Sequence, residues 1–336
     1  MLVDGGVGND LHQVARQAQD AESAGYDAVW GSETNHDPFL PLTLAAEHTA
    51  RIQLGTAIAV AFARNPMTTA GVAWDLNAFS GGRFLLGLGS QIKPHIEKRF
   101  SMPWSHPAPR MREFILAMRA VWDCWQNDTK LDYRGQFYQH TLMTPFFNPG
   151  PNPHGAPKVF LAAVGEAMTR VAAEVADGVL VHGFTTERYL REVTMPVVDA
   201  GLAASGRARG DFQLSYPVFV VTGSTDEARE KATVATRRQI GFYGSTPAYR
   251  GVLELHGWGE LQTELNRLSK AGEWAKMGEL VDDEILHAFA VVGPPANVAG
   301  LIMERAGDLV DRVSFYAPAG LDPDDATAIR SALASA

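Results

Sequence analysis

The stretch GYDAVWGSETNHDPFLPLTLAAEHTARIQLGTAIAV (Gly25–Val60) contains one complete strand–helix–strand unit and decides the fold class. Tyr26–Gly31 and Ile52–Val60 are short apolar runs of strand length, and Pro41–Thr49 between them has the spacing of a helix. Apolar strands joined by a helix are typical of a parallel sheet that is covered on both faces. The unit therefore predicts an α/β protein.

The same alternation continues along the whole chain. Further strands are predicted at Leu2–Asp4, Arg83–Leu88, Val159–Ala163, Gly178–His182, Phe212–Thr222 and Arg312–Tyr316. Further helices are predicted between Asp10 and Gly25 and over Thr68–Phe79, Arg110–Gln126, Glu166–Ala176, Thr186–Ala204, Thr225–Tyr243 and Asp324–Leu333. Eight strands, each followed by a helix, predict a (β/α)8 TIM barrel. A doubly wound open sheet is the alternative that the pattern leaves open.

We expect one TIM-barrel domain over residues 1–336, with two insertions. Residues 127–157 are rich in proline, glycine and aromatic side chains, and residues 244–280 carry polar helical sequence between the seventh and eighth units. Connections of this length in a compact domain usually serve as lids or interfaces.

Composition narrows the class of protein. The 336 residues are 46% hydrophobic and 20% charged, which predicts a large buried core. A formal net charge of −9 argues against nucleic acid or an anionic membrane as the main partner. The single cysteine, Cys124, excludes internal disulfides and a cysteine-built zinc site. With no apolar run of membrane length and no signal-peptide pattern, we expect a soluble, cytoplasmic protein that acts on a small molecule.

The loop after the second strand is the densest group of candidate catalytic residues. Glu33, His36 and Asp37 lie within five residues of each other, at the strand end where barrel enzymes place their chemistry. A carboxylate beside an imidazole suits general acid–base catalysis. The alternative is structural, because Asp37-Pro38 is also a good start for the following helix.

Four other strand ends carry residues that could contact a cofactor. They are Ala57 and Ile58 after the third strand, Gly89, Ser90 and Gln91 after the fourth, Ala163, Val164 and Gly165 after the fifth, and His182 after the sixth. Glycine-rich turns and helix N-termini offer backbone N–H groups to an anion, and small residues let a flat ligand approach the backbone. The structural alternative for the small residues is ordinary packing in the barrel interior. For His182 it is a hydrogen-bonded residue of the barrel wall. The residues alone indicate a phosphorylated ligand or cofactor without defining a reaction.

Four longer stretches carry a family resemblance. Besides Gly25–Thr49 they are IQLGTAIAVAFARNPM (Ile52–Met67), SGGRFLLGLGSQIKPHIEKRF (Ser80–Phe100) and PKVFLAAVGEAMTRVAAEVADGVLVHG (Pro157–Gly183). Together they resemble the luciferase-like flavin and deazaflavin oxidoreductases. Within that superfamily the chain is most similar to an actinobacterial branch assigned to coenzyme F420.

The resemblance implies a TIM barrel with insertions and a cofactor whose tricyclic ring lies at the barrel mouth. It places a non-proline cis peptide behind the ring at Ala57–Ile58. It also implies that Gly89, Ser90, Ala163, Val164 and Gly165 line the cofactor and its phosphate, and that the loop with Glu33, His36 and Asp37 lies beside the reacting ring carbon. Gln91 and His182 are added as cofactor-binding candidates because of their place at the strand ends. Relatives that oxidise sugar phosphates carry a glutamate after the glycine loop, where this chain has Gln91-Ile92. Sugar-phosphate oxidation is therefore not expected.

Three functions follow from this resemblance. The first is an F420-dependent oxidoreductase that transfers a hydride between the deazaflavin and an organic substrate. The alternative is an FMN-dependent luciferase-like monooxygenase, and a third possibility is a barrel that binds the cofactor without turnover. Relatives are often dimers, so a homodimer is possible.

Overall fold

The computed structural model describes residues 1–335 and has a closed barrel of parallel strands at its centre. The strands in chain order are β1 (Leu2–Gly6), β2 (Ala28–Gly31), β3 (Gln53–Thr56), β4 (Ala59–Val60), β5 (Phe84–Gly89), β6 (Tyr133–Arg134), β7 (Gln139–His140), β8 (Lys158–Ala163), β9 (Gly178–Val181), β10 (Gln213–Val221), β11 (Ala290–Val292) and β12 (Arg312–Tyr316). The barrel runs β1-β2-β3-β5-β8-β9-β10-β12 and closes where β12 pairs with β1. The TIM-barrel prediction is confirmed, and the open-sheet alternative is wrong.

Helices cover the outside of the barrel. They are α1 (Val14–Ala24), α2 (Phe39–His48), α3 (Pro66–Phe79), α4 (Pro107–Asn127), α5 (Glu166–Val175), α6 (Glu187–Tyr189), α7 (Met195–Ala204), α8 (Asp226–Gly244), α9 (Arg250–Leu255), α10 (Gly259–Lys270), α11 (Trp274–Glu279), α12 (Asp283–Phe289), α13 (Pro295–Ala306) and α14 (Pro323–Ser335). Among residues 1–335, no helix is long and apolar enough to cross a membrane.

Two local differences from the sequence prediction concern the sheet. The predicted third strand, Ile52–Val60, is interrupted at Ala57–Ile58 and forms β3 and β4. The short strand β11 was not predicted; it pairs with β10 outside the closed barrel. Three residues are too few for a periodic sequence signal.

The barrel interior is filled by large side chains and one buried ion pair. Trp30 meets Phe160 edge-to-face, with ring centroids 5.7 Å apart. Asp4 accepts two hydrogen bonds of 2.8 Å from the Arg312 guanidinium and one of 2.9 Å from the Trp30 indole N–H. Both ionic partners are 1% exposed, so their charges are satisfied by each other and not by solvent. The interior is therefore a packed core, which leaves the barrel mouth for a ligand.

The two stretches predicted as insertions differ in structure. Residues 127–157 form the antiparallel β6–β7 hairpin and an extended segment on which Leu142, Phe146 and Phe147 are strongly exposed. Residues 244–280 contain α9, α10 and α11; α10 and α11 pack on α8, and α9 packs on α10.

Candidate active site

The end of β3 is bulged by a cis peptide bond. The Ala57–Ile58 peptide is cis, as the resemblance implies. The Ala57 N–H donates to the Gly31 carbonyl over 2.8 Å, and the Ile58 carbonyl accepts from the Glu33 N–H over 3.2 Å. The bulge is therefore tied to the loop after β2, which carries the predicted catalytic residues.

Two of the three predicted catalytic residues, Glu33 and Asp37, are held by one arginine. Glu33 Oε2 accepts from Arg64 Nη1 over 2.5 Å and from the Val60 N–H over 2.7 Å. Arg64 Nη2 donates to Asp37 Oδ2 over 3.1 Å, and the other Asp37 oxygen accepts from the Phe39 N–H at the start of α2. Both carboxylates therefore fix the shape of the loop, as the structural alternative for Asp37 predicts.

His36 is the member of the group that is both exposed and without an ion-pair partner in the described residues. Its side chain is exposed, and within residues 1–335 it has neither an ion pair nor a side-chain hydrogen bond. The neighbouring Thr34 carbonyl accepts a hydrogen bond from the Arg99 guanidinium, which anchors the loop from its other side. The structure thus presents an imidazole on a rigid loop beside the bulge.

Neighbouring atoms fill the space beside the glycines at the end of β5. A Cβ on Gly87 would lie 1.7 Å from the Thr56 carbonyl oxygen, and one on Gly89 would lie 2.3 Å from Ile58 Cδ1. Ser90 Oγ donates to the Gln91 carbonyl over 3.1 Å, and the Gln91 side chain accepts from the Ile92 N–H. Gly89 thus backs the cis peptide, while the polar groups of Ser90 and Gln91 are bonded within their own turn.

The ends of β8 and β9 surround a small, partly open pocket. Ala163, Val164 and His182 line it, together with Phe184, Thr185, Tyr189 and Val252. A Cβ on Gly165 would have no atom within 4 Å. Gly165 is also the N-cap of α5 and supplies no side-chain cap, so the first N–H groups of that helix remain available. The structure brings four predicted residues together around one opening.

His182 is a neutral imidazole of defined tautomer. Its Nδ1 accepts from the Phe184 N–H over 3.0 Å, which places the ring proton on Nε2. Burial lowers the pKa of His182 to about 4. The ring touches Tyr243 and Tyr249, with centroids 4.7 Å and 4.6 Å away. His182 is therefore an uncharged N–H donor in an aromatic wall.

Sequence reasoning missed several residues of this wall. Tyr249 comes from the second insertion, and burial raises its pKa to about 12. Tyr316 ends β12, and its hydroxyl lies 2.7 Å from that of Tyr243. Thr185 Oγ1 is buried without a hydrogen-bond partner in the described residues. The strand-end rule that selected His182 could have found Thr185 and Tyr316, whereas Tyr249 carries no such signal.

Comparison with known proteins identifies the class of protein. The sequence model of the luciferase-like monooxygenase family matches residues 2–312, and the chain belongs to this family. An uncharacterised protein of Mycobacterium tuberculosis is 58% identical over 313 residues, covering 93% of this chain and 92% of that protein.

Two methanopterin enzymes extend the comparison. A 5,10-methylenetetrahydromethanopterin reductase of Archaeoglobus fulgidus is 31% identical over 311 residues, covering 90% of this chain and 88% of the relative. The solved structure of the coenzyme F420-dependent tetrahydromethanopterin reductase of Methanopyrus kandleri aligns with a TM-score of 0.78 at 23% identity, covering 98% of this chain and 97% of that chain. That likeness shows a shared fold.

Proposed function

We propose that this protein is an oxidoreductase that transfers a hydride between coenzyme F420 and an organic substrate at the barrel mouth. The observation that carries the proposal is the arrangement of the strand ends, where the exposed His36 imidazole lies on a loop held by Arg64 and the small residues at the end of β8 line a pocket. The similarity to a methylenetetrahydromethanopterin reductase supports it. When bound, the deazaflavin would supply the hydride chemistry at its ring carbon 5.

The residues present fit such a cofactor. Ala57, Ile58 and Gly89 would support the flat ring, because Ala57 is small and the Ile58 side chain lies against Gly89. The phosphate would lie near Val164 and Gly165, where the N–H groups at the start of α5 favour an anion. The unpartnered Thr185 hydroxyl in the same pocket would supply a further hydrogen bond.

The residues of the chain have separate tasks in this proposal. His36 would transfer the substrate proton, since it is the exposed titratable group of the loop that has no ion-pair partner among residues 1–335. Glu33, Asp37 and Arg64 would hold the His36 loop in place through their ion pairs. His182 would donate a hydrogen bond from Nε2 while remaining uncharged near neutral pH.

Paired binding titrations test the cofactor. The purified full-length chain is titrated with F420 and, separately, with FMN, and the cofactor fluorescence is followed. We expect F420 to bind at least about tenfold more tightly, which corresponds to about 1.4 kcal/mol. Tighter binding of FMN would contradict the proposal and favour a flavin monooxygenase, a function that the family description includes. Binding of neither cofactor would contradict both functions.

The role of His36 is tested by His36→Ala in single-turnover assays with a substrate that the wild-type chain converts. We expect F420 affinity to be unchanged and the rate to fall about 100-fold, because general acid–base catalysis contributes that much or more. Arg51→Ala, at an exposed arginine of the loop between α2 and β3, is the control. An unchanged rate in His36→Ala would assign proton transfer to another group.

A further inference from the structure

A second concavity lies between α8 and α11. It is lined by Arg238 and Phe242 of α8 and by Trp274, Ala275 and Met277 of α11. Its volume is about 700 Å³, counted to the open mouth. The next residue of α8, Tyr243, touches His182 at the end of β9. The pocket at the ends of β8 and β9 has no lining residue on α8, so the two pockets are separate.

The walls of this α8–α11 pocket are aromatic and solvent-exposed. Phe242 is 49% exposed and Trp274 is 53% exposed, although large aromatic side chains are normally buried. Their ring centroids lie 6.1 Å apart, and the ring planes are inclined by 52°. Met277, which is 1% exposed, forms the floor. A flat ring could stack on one wall and meet the other with its edge.

Close packing between the two helices holds the pocket in shape. A Cβ on Gly241 would lie 2.8 Å from the Met277 carbonyl oxygen. A Cβ on Gly278 would lie 2.9 Å from Arg238 Cγ, so the stem of Arg238 rests on the backbone of α11. The walls and the arginine are thus positioned by backbone contacts, which favours a preformed site.

Arg238 brings a positive charge that the chain itself does not neutralise. Its neighbour Arg237 is paired with Asp283, and Lys276 is paired with Glu273. Within residues 1–335, Arg238 has neither an ion pair nor a side-chain hydrogen bond. A guanidinium has a planar array of N–H donors that matches a carboxylate in two parallel hydrogen bonds.

We infer that the α8–α11 pocket is a second binding site, which takes a small planar aromatic carboxylate. The ring of the ligand stacks on one of the two aromatic rings, Phe242 or Trp274, and meets the other with its edge, and its carboxylate meets Arg238. This site is independent of the cofactor proposed for the barrel mouth, because it shares no lining residue with that pocket.

Binding of 2-naphthoate tests the inference, with 2-naphthalenemethanol as its uncharged analogue. Both probes are titrated into the full-length chain by calorimetry. In Trp274→Ala we expect both to bind about tenfold more weakly, since a stacking wall is lost. In Arg238→Gln we expect 2-naphthoate to lose about fivefold and the alcohol to be unaffected. Arg267→Gln, which removes a surface charge from α10, should change neither affinity.

Three results would overturn the inference. Equal affinities of wild type, Trp274→Ala and Arg238→Gln would show that the probe binds elsewhere, for example at the barrel mouth. Equal affinities of the two probes for the wild type would show adventitious apolar binding without recognition of the carboxylate. A dimer in sedimentation experiments that Trp274→Ala converts to a monomer would show that a second copy of the chain covers this face.

Discussion

The ends of β5 and β8 look alike in sequence and differ in structure. Both are runs of small residues at the mouth of the barrel, and both suggest an anion site. At β5, Gly87 and Gly89 are pressed against Thr56 and Ile58. At β8, Gly165 faces open space beside a pocket.

This difference shows that glycine at a strand end has two separate uses. At the end of β5, the glycines let β3 and its bulge pack closely against β5. They would therefore affect a ligand only through the shape of the neighbouring backbone. On the β8 side glycine leaves room and free N–H groups for the ligand itself. Sequence cannot separate these uses, because the neighbour that fills the space comes from another strand.

The largest expected effect is that of Gly87→Ala. Its methyl group would overlap the Thr56 carbonyl, and backbone atoms on both sides must move. We expect the free energy of unfolding to fall by about 3 kcal/mol, measured by urea denaturation. The control is Gly71→Ala in α3, where a Cβ has no atom within 4 Å and alanine should stabilise the helix by about 0.5–1 kcal/mol. Equal stability of the two variants would refute the packing role of Gly87.

His182→Gln tests the electrostatics on the β8–β9 side. Because burial lowers the pKa of His182 from 6.5 to about 4, the unfolded chain binds this proton at a higher pH than the folded chain does. The wild type should therefore lose stability through this group as the pH falls from 6.5 towards 4, by about 2 kcal/mol after allowance for partial exposure. The free energy of unfolding is measured by urea titration at pH 7.5 and at pH 4.5. Between these two pH values the variant should lose about 2 kcal/mol less stability than the wild type. Identical pH dependence in both proteins would mean that His182 protonates normally.

Gly165→Ala is the matched change on the open side. Stability should fall by less than about 1 kcal/mol, because an N-cap glycine is replaced in extended backbone that alanine also adopts. Affinity for F420 should fall about tenfold, since the methyl group would occupy space next to the free N–H groups. Both quantities are measured on the same preparation. Full retention of F420 affinity would remove Gly165 from the proposed phosphate site.

Thr185→Val should have the smallest effect. The Thr185 hydroxyl is buried without a protein partner, so valine should leave stability unchanged or raise it by about 0.5 kcal/mol. F420 affinity should fall about threefold if the hydroxyl contacts the cofactor. Thr236→Val in α8 is the control, because the Thr236 hydroxyl is also buried without a partner in the described residues but does not line the pocket at the ends of β8 and β9. A loss of stability in Thr185→Val would show that its hydroxyl supports the fold.

The sequence predicted the barrel well because its signal is local and repeated. All eight predicted barrel strands are present, and the resemblance located the cis peptide at Ala57–Ile58. The split of Ile52–Val60 was not predicted from the residues, because the bulge depends on contacts with Gly31 and Gly89 in other strands. Helix α13 was also not predicted, although its sequence carries proline at the start.

The sequence indicated many residues of the candidate site, but it did not indicate the contacts between them. Arg64 binds carboxylates 27 and 31 residues earlier in the chain, so no spacing rule indicates that Glu33 and Asp37 are already engaged. Tyr249 approaches His182 only because α8 brings the second insertion back over the mouth. Such contacts depend on tertiary packing, which a pattern along the chain does not contain.

A crystal structure of the chain with F420 is the most direct test of the central claim. The account predicts the deazaflavin ring against the Ala57–Ile58 peptide and the phosphate at the N-terminus of α5, within hydrogen-bond distance of Thr185 Oγ1. A ring bound away from the bulge, or a phosphate held by the turn at Ser90 and Gln91, would contradict the account.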